Sequence, residues 1–136
     1  MEGVPVGWGD VDDNDSIRAI HRALDLGVNS FDTADVYGAG HCEGTLGKAL
    51  AGRRDKVVVA TKFGNVFDSE TRQWTGEDGS PEYTRKALEA SLRRLKSDYI
   101  DLYQFHIWGY PQEEAGPTRD VLEELVRTTC NVSQKW

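Results

Sequence analysis

The sequence predicts an α/β fold assembled from parallel βα units. Helical and strand periodicities alternate along the chain with no obvious hairpin signal. The clearest strand, "KVVVATKFG" (56–64), is a near-continuous β-branched run, as expected of a parallel strand covered on both faces. The chain has 136 residues, enough for one domain with one sizeable core.

The elements follow in order. An opening strand is expected within residues 3–8. In "DNDSIRAIHRALDL" (13–26), Ile17, Ile20 and Leu24 recur at helical spacing behind an Asp/Asn/Ser cluster able to cap, and Gly27 supplies a stop. "VNSFDTA" (28–34) reads as a short strand. "CEGTLGKALAGR" (42–53) reads as a helix weakened by Gly44 and Gly47. After the 56–64 strand, the polar stretch 65–79 is expected to be a long loop that ends at Ser80-Pro81, a cap followed by proline at the first helical position. The helix that follows, "EYTRKALEASLRRLK" (82–96), places Ala87, Leu88, Leu92 and Leu95 on one face. "YIDLYQFH" (99–106) is the next strand and "TRDVLEELV" (118–126) the last helix. Residues 1–126 are read as one unit and the polar residues 127–136 as a frayed tail.

Composition narrows the function classes. Apolar residues make up 38% and charged residues 29%, a globular balance. The net charge of −7 argues against a nucleic-acid partner. No apolar run approaches the ~20 residues that cross a bilayer, and the opening "MEGVPVGWGD" lacks the n- and h-regions of a signal peptide. Cys42 and Cys130 make no disulfide framework, which points to a cytoplasmic location. His41-Cys42 lacks zinc-type spacing, so no metal is expected.

Reactive residue types fall where strands end. Asp32 closes the first clear strand, Tyr37 lies just beyond it, Lys62 ends the second and His106 the third. Parallel strands send all their carboxyl ends to one side, where ligand sites of such folds lie. Parity agrees: Val58, Ala60 and Lys62 share one strand face, as do Ile100, Leu102, Gln104 and His106. Singly, each has a structural explanation: a turn or cap for Asp32, a loop aromatic for Tyr37, a strand exit for Lys62 and a satisfied core histidine for His106.

Together they suit one chemistry. A phenol with an ordinary pKa of ~10 becomes a usable acid beside an ammonium, which lowers that value by roughly 1–3 units. A carboxylate fixes the lysine, and a histidine orients a carbonyl oxygen. Tyr37 as general acid, Lys62 as its tuner, Asp32 as anchor and His106 as polariser would protonate a carbonyl as it receives hydride. No side chain delivers hydride, so a nicotinamide cofactor is required.

"FDTADVYG", "VVVATKFG" and "DLYQFH" resemble the aldo-keto reductases, whose Asp-Tyr-Lys-His tetrad corresponds to Asp32, Tyr37, Lys62 and His106; "SLRRLKSDYIDLYQFH" is similar to the family's approach to the histidine strand. The resemblance spans roughly residues 5–126. It implies a TIM-type (β/α)8 barrel, NADPH, and reversible reduction of a small aldehyde or ketone. Gly7 and Trp8 resemble the loop that touches the nicotinamide end of the cofactor, and Asp32 is implied there too. Cys42 stands where the family usually has a serine, and Gly44 where it has a larger residue.

A complete barrel needs ~250 residues, so the expectation is a partial, truncated barrel. Such a half leaves strand edges unpaired. Either a complementing chain or a second copy completes it as a homodimer, or it is a catalytically silent fragment or interaction module. Trp74, Trp108 and Tyr110 are either pocket walls or loop anchors. The basic residues of "SLRRLK" are expected on a solvated face.

Overall fold

The computed structural model describes residues 6, 7 and 11–128. Their elements are α1 (Asp13–Asp25), β1 (Ser30–Asp32), α2 (His41–Ala49), β2 (Val58–Phe63), β3 (Asn65–Asp68), β4 (Gln73–Glu77), α3 (Pro81–Leu95), β5 (Leu102–Phe105) and α4 (Ala115–Thr128), with a 3-10 turn at Arg54–Lys56. Trp8 and most of the expected opening strand lie outside the described residues; Val6 and Gly7 are not in a strand. Residues 129–136 of the expected tail also lie outside them, whereas Arg127 and Thr128 continue α4. Among the described residues no helix is long and apolar enough to cross a membrane.

The expected cap and proline open α3, whereas α1 is capped by Asp12, just before the Asp/Asn/Ser cluster read as its cap. The Asp12 carboxylate accepts from the Asn14 amide to start α1, and the Ser80 hydroxyl accepts from the Tyr83 amide with Pro81 at the first position of α3. Gly40, in a left-handed conformation, precedes α2 without a side-chain cap. Pro117 sits in the first turn of α4, where its missing N–H costs nothing.

Strands β1, β2 and β5 form a parallel sheet with β2 central: Asp32 aligns with Ala60, and Lys62 with Gln104. Around it α1 packs on α2, α2 on α3 and α3 on α4. Val59 and Phe63 of β2, Tyr103 of β5, Leu46 of α2, Leu50 at its C-cap, and Leu88 and Leu95 of α3 form the core between sheet and helices. Phe63 stacks on Tyr103 at 4.5 Å between ring centroids. At the amino ends of the strands, Arg54 donates to the carbonyls of Val57 and Tyr99 and to Asp101, whose carboxylate also accepts from the Val59 amide.

Three expectations are corrected. The stretch 65–79 is not a loop: β3 and β4 pair antiparallel, with a bulge between Val66 and Phe67. Its turn lacks the Asn-Gly or Asp-Gly signature; Asp68 instead accepts from the amides of Glu70 and Thr71, and Arg72 takes a positive φ. Second, the face of β2 away from the helices is covered only in part, for Val58 is 47% exposed there while Ala60 is buried. Third, Ile100 does not share the inner face. It precedes β5, outside the strand's alternation, and lies in the helix-side core.

The glycines of α2 differ in kind. A Cβ on Gly47 would lie 2.7 Å from the Arg94 carbonyl oxygen and from the carbonyl carbon and oxygen of Leu95, so α2 can rest on the last turn of α3 only without a side chain there. A Cβ on Gly44 meets nothing within 4 Å. Gly47→Ala should therefore destabilise the fold by about 1–3 kcal/mol through overpacking. Gly44→Ala should stabilise it by about 0.5–1 kcal/mol through helix propensity. Urea denaturation midpoints, at unchanged m-value, check both signs.

Candidate active site

The carboxyl ends of the three parallel strands bring the four expected side chains together. Strand β1 delivers Asp32 and β2 delivers Lys62, whose ammonium donates to the Asp32 carboxylate and, at 2.9 Å, to the Thr33 carbonyl. The ammonium is largely sheltered while the aspartate faces water, with 14% and 60% side-chain exposure respectively. Beyond β1 the chain turns tightly: the Thr33 and Asp35 amides donate to Ala60 and Lys62 carbonyls, and the Tyr37 carbonyl accepts from the Cys42 amide in the first turn of α2. This loop carries the Tyr37 ring under Lys62, with the ammonium nitrogen 5.2 Å from the ring centroid. His106, just past β5, meets Tyr37 edge-on at 6.0 Å between centroids.

Burial lowers the His106 pKa, and the Lys62 charge lowers it further, against a smaller opposing effect of Asp32. The imidazole is therefore neutral at pH 7, with one N–H and one lone pair. Its Nδ1 is buried without a hydrogen-bond partner.

Tyr37 and His106 line a cavity of about 510 Å³ together with Gly7, Val36, Asn65, Trp74, Glu77 and Trp108, whereas Lys62 and Asp32 stand behind Tyr37 and are not among its lining residues. Gly7 packs against the Tyr37 loop; a Cβ added there would lie 3.4 Å from the Gly38 Cα. Trp74 is on β4 rather than in a loop, and Trp108 is 92% exposed at the rim. Tyr110 serves as an anchor, packed edge-on against Phe105 at 5.0 Å. A second cavity, about 520 Å³, opens at the amino ends of the strands and contains none of the four groups.

Sequence reasoning missed a buried polar cluster behind the Tyr37 loop. Glu43 of α2 is fully buried; it accepts from the Thr61 hydroxyl at 2.6 Å and from Arg94 Nε at 2.7 Å. Arg94 of "SLRRLK" is thus half-buried and paired with the buried Glu43, not on the solvated face expected of it. Asp35, two residues before Tyr37, is 1% exposed, and its Oδ1 has no hydrogen-bond partner. Asn65 was also missed, because it opens the stretch read as a loop. The adjacent acidic and basic residue types were visible, but their burial was not, since helix α2 gave only a weak amphipathic pattern.

Loss of hydration, and then the like charge of Glu43, push the Asp35 carboxyl up to about 7, against the pull of Arg94. Its ordinary value is 3.8. Between these values the folded chain keeps a proton that the unfolded chain gives up, so stability falls as pH rises from about 4 to about 7. Asp35→Asn should remove that slope and leave the variant more stable above pH 7 by on the order of 4 kcal/mol. Thermal melts of both proteins across this pH range check the prediction.

Parallel βα units with Tyr37, Lys62, Asp32 and His106 gathered at the carboxyl ends of the strands place the chain in the α/β class, as part of a βα barrel. The model of the aldo/keto reductase family matches residues 3–128, and the chain belongs to that family. It is 40% identical over 112 residues to the uncharacterized oxidoreductase YqkF of Bacillus subtilis, covering 82% of this chain and 36% of that protein. It superposes on the aldo-keto reductase AKR11C1 from Bacillus halodurans (holo form) with a TM-score of 0.82 at 37% identity, covering 96% of this chain and 45% of that one. An aldo/keto reductase from Klebsiella pneumoniae, solved in complex with NADP and acetate, matches with a TM-score of 0.70 at 28% identity, over 96% and 43%. The chain thus spans about a third of the curated relative and under half of each solved structure, and its fold is part of their TIM barrel.

Proposed function

We propose that the site reduces a small aldehyde or ketone to the alcohol with NADPH, Tyr37 acting as general acid. The observation that carries this reading is that Tyr37 and His106 meet on the wall of one cavity, with Lys62 against the Tyr37 ring and Asp32 bound to Lys62. The residues present fit the reactive end of a nicotinamide cofactor. The Gly7–Gly38 contact leaves a side-chain-free border, Trp74 and Trp108 supply flat apolar walls, and the cavity is of a size typical for small-molecule sites. Gly7 and Tyr37, which line the cavity, would hold that end; Asp32, expected there too, is not among the lining residues and would act through Lys62, and Trp8 is outside the described residues.

NADPH, when bound, supplies the hydride. Neutral His106 donates a hydrogen bond to the carbonyl oxygen and holds it toward Tyr37. The Tyr37 hydroxyl delivers the proton that turns the developing alkoxide into an alcohol. The Lys62 ammonium lies 5.2 Å from the Tyr37 ring centroid, and Asp32 together with the Thr33 carbonyl holds Lys62 in place.

A second reading is supported by the exposed Val58 and by sheet edges at β1 and β5 that no described strand covers. On this reading a second polypeptide, or a second copy, completes the barrel before turnover is possible.

Carbonyl-dependent oxidation of NADPH by the full chain tests the first reading. Tyr37→Phe should lower turnover by about 10²–10⁴-fold with little change in cofactor binding, followed by quenching of cofactor fluorescence. Equal turnover in the two proteins would reject Tyr37 as the acid. Light scattering addresses the second reading, which predicts an assembly larger than a monomer in every active sample.

A further inference from the structure

We infer that Asn65 is a positioning residue that ties the polarising histidine to the aromatic wall of the cavity. Asn65 opens β3, one residue beyond Gly64, and borders the cavity. Its Nδ2 donates to the His106 carbonyl oxygen at 2.8 Å, and its Oδ1 accepts from the Trp74 indole Nε1 at 3.0 Å. An indole N–H can only donate and a main-chain carbonyl can only accept, so both ends of the amide are assigned without ambiguity. The Asn65 backbone is held in turn, for its carbonyl accepts from the Tyr83 hydroxyl of α3 at 3.1 Å. Burial raises the Tyr83 pKa far above the physiological range, so this donor keeps its proton.

His106 is therefore gripped on both main-chain polar atoms by one short segment. Its amide donates to the Phe63 carbonyl at 2.8 Å, and its carbonyl accepts from Asn65. Residues 63–65 thereby set the direction in which the imidazole leaves the backbone, and thus its edge-on approach to Tyr37. Trp74 hangs on the other end of the same amide, so a displacement of the wall is passed to His106. The role in turnover rests on the carbonyl-reductase reading; the geometric coupling does not.

Two substitutions separate the two ends. Asn65→Asp keeps an acceptor for Trp74 but turns an oxygen toward the His106 carbonyl, whereas Asn65→Ala loses both bonds. In nitrogen-15-labelled full chain, the Trp74 indole N–H resonance is assigned by its loss in Trp74→Phe. It should keep its position in Asn65→Asp and move toward that of a free indole in Asn65→Ala. The imidazole titration of His106 should shift in both Asn65 variants. In turnover, Asn65→Asp should lower kcat by about tenfold with KM little changed, and Asn65→Ala should also raise KM, since small misplacements near the reacting atoms have effects of this size or larger. If Asn65→Ala does not fold, Asn65→Asp and Trp74→Phe carry the test. An unmoved His106 titration in Asn65→Asp would overturn the coupling, whatever the activity. Absence of turnover in the unaltered chain, with the resonances behaving as expected, would instead reject the reductase reading and leave the coupling standing.

Discussion

The site depends on the pairing of β2 with two parallel neighbours. Backbone hydrogen bonds from β2 to β1 on one side and β5 on the other fix where Asp32, Lys62 and His106 leave the sheet. Each of these residues stands at or just beyond a carboxyl end, so a shared strand direction is enough to bring them to one spot. A one-residue slip of β2 would turn Lys62 toward the helices and leave Asp32 without its partner. Register is held at the far end by Arg54, which joins the approaches to β2 and β5 through Val57, Tyr99 and Asp101.

Behind this arrangement lies a polar cluster in a place where apolar groups would pack at lower cost. Glu43 is tolerated because Thr61 and Arg94 saturate its two oxygens. Asp35 lacks such compensation at Oδ1 and favours its neutral form. The cluster sits beneath the loop that presents Tyr37, and it connects α2, β2 and α3 through bonds that only one packing of these elements satisfies. Stability is given up here in exchange for a fixed loop.

The inner face of the sheet is the counterpart of that buried side. Val58 remains in contact with water although it belongs to a strand whose composition is that of a barrel interior. Helices cover one side of β2, and closure of the other side requires strands beyond β1 and β5. The same physics explains why the Asp32-Tyr37-Lys62-His106 cluster forms without closure: its geometry needs three strands and their loops, whereas a dry inner face needs a ring.

The alternation of elements, the Ser80 cap, a capping cluster at the start of α1 and the reactive residue types at the strand ends were legible in the chain, although the α1 cap itself proved to be Asp12. These are written in local patterns: period, capping side chains and the position of reactive types relative to a β-branched run. The β3–β4 hairpin was illegible because its turn uses Asp68 and a positive-φ Arg72 in place of a glycine signature. The burial of Asp35, Glu43 and Arg94 was equally hidden, since a charged residue looks solvent-facing until the packing of other elements encloses it. That Gly47 is a contact point between helices, and that Asn65 joins His106 to Trp74, emerged only from the packing of the elements. The physical reason is common to both: each is a contact between segments far apart in the chain, and no local period encodes the distance between them.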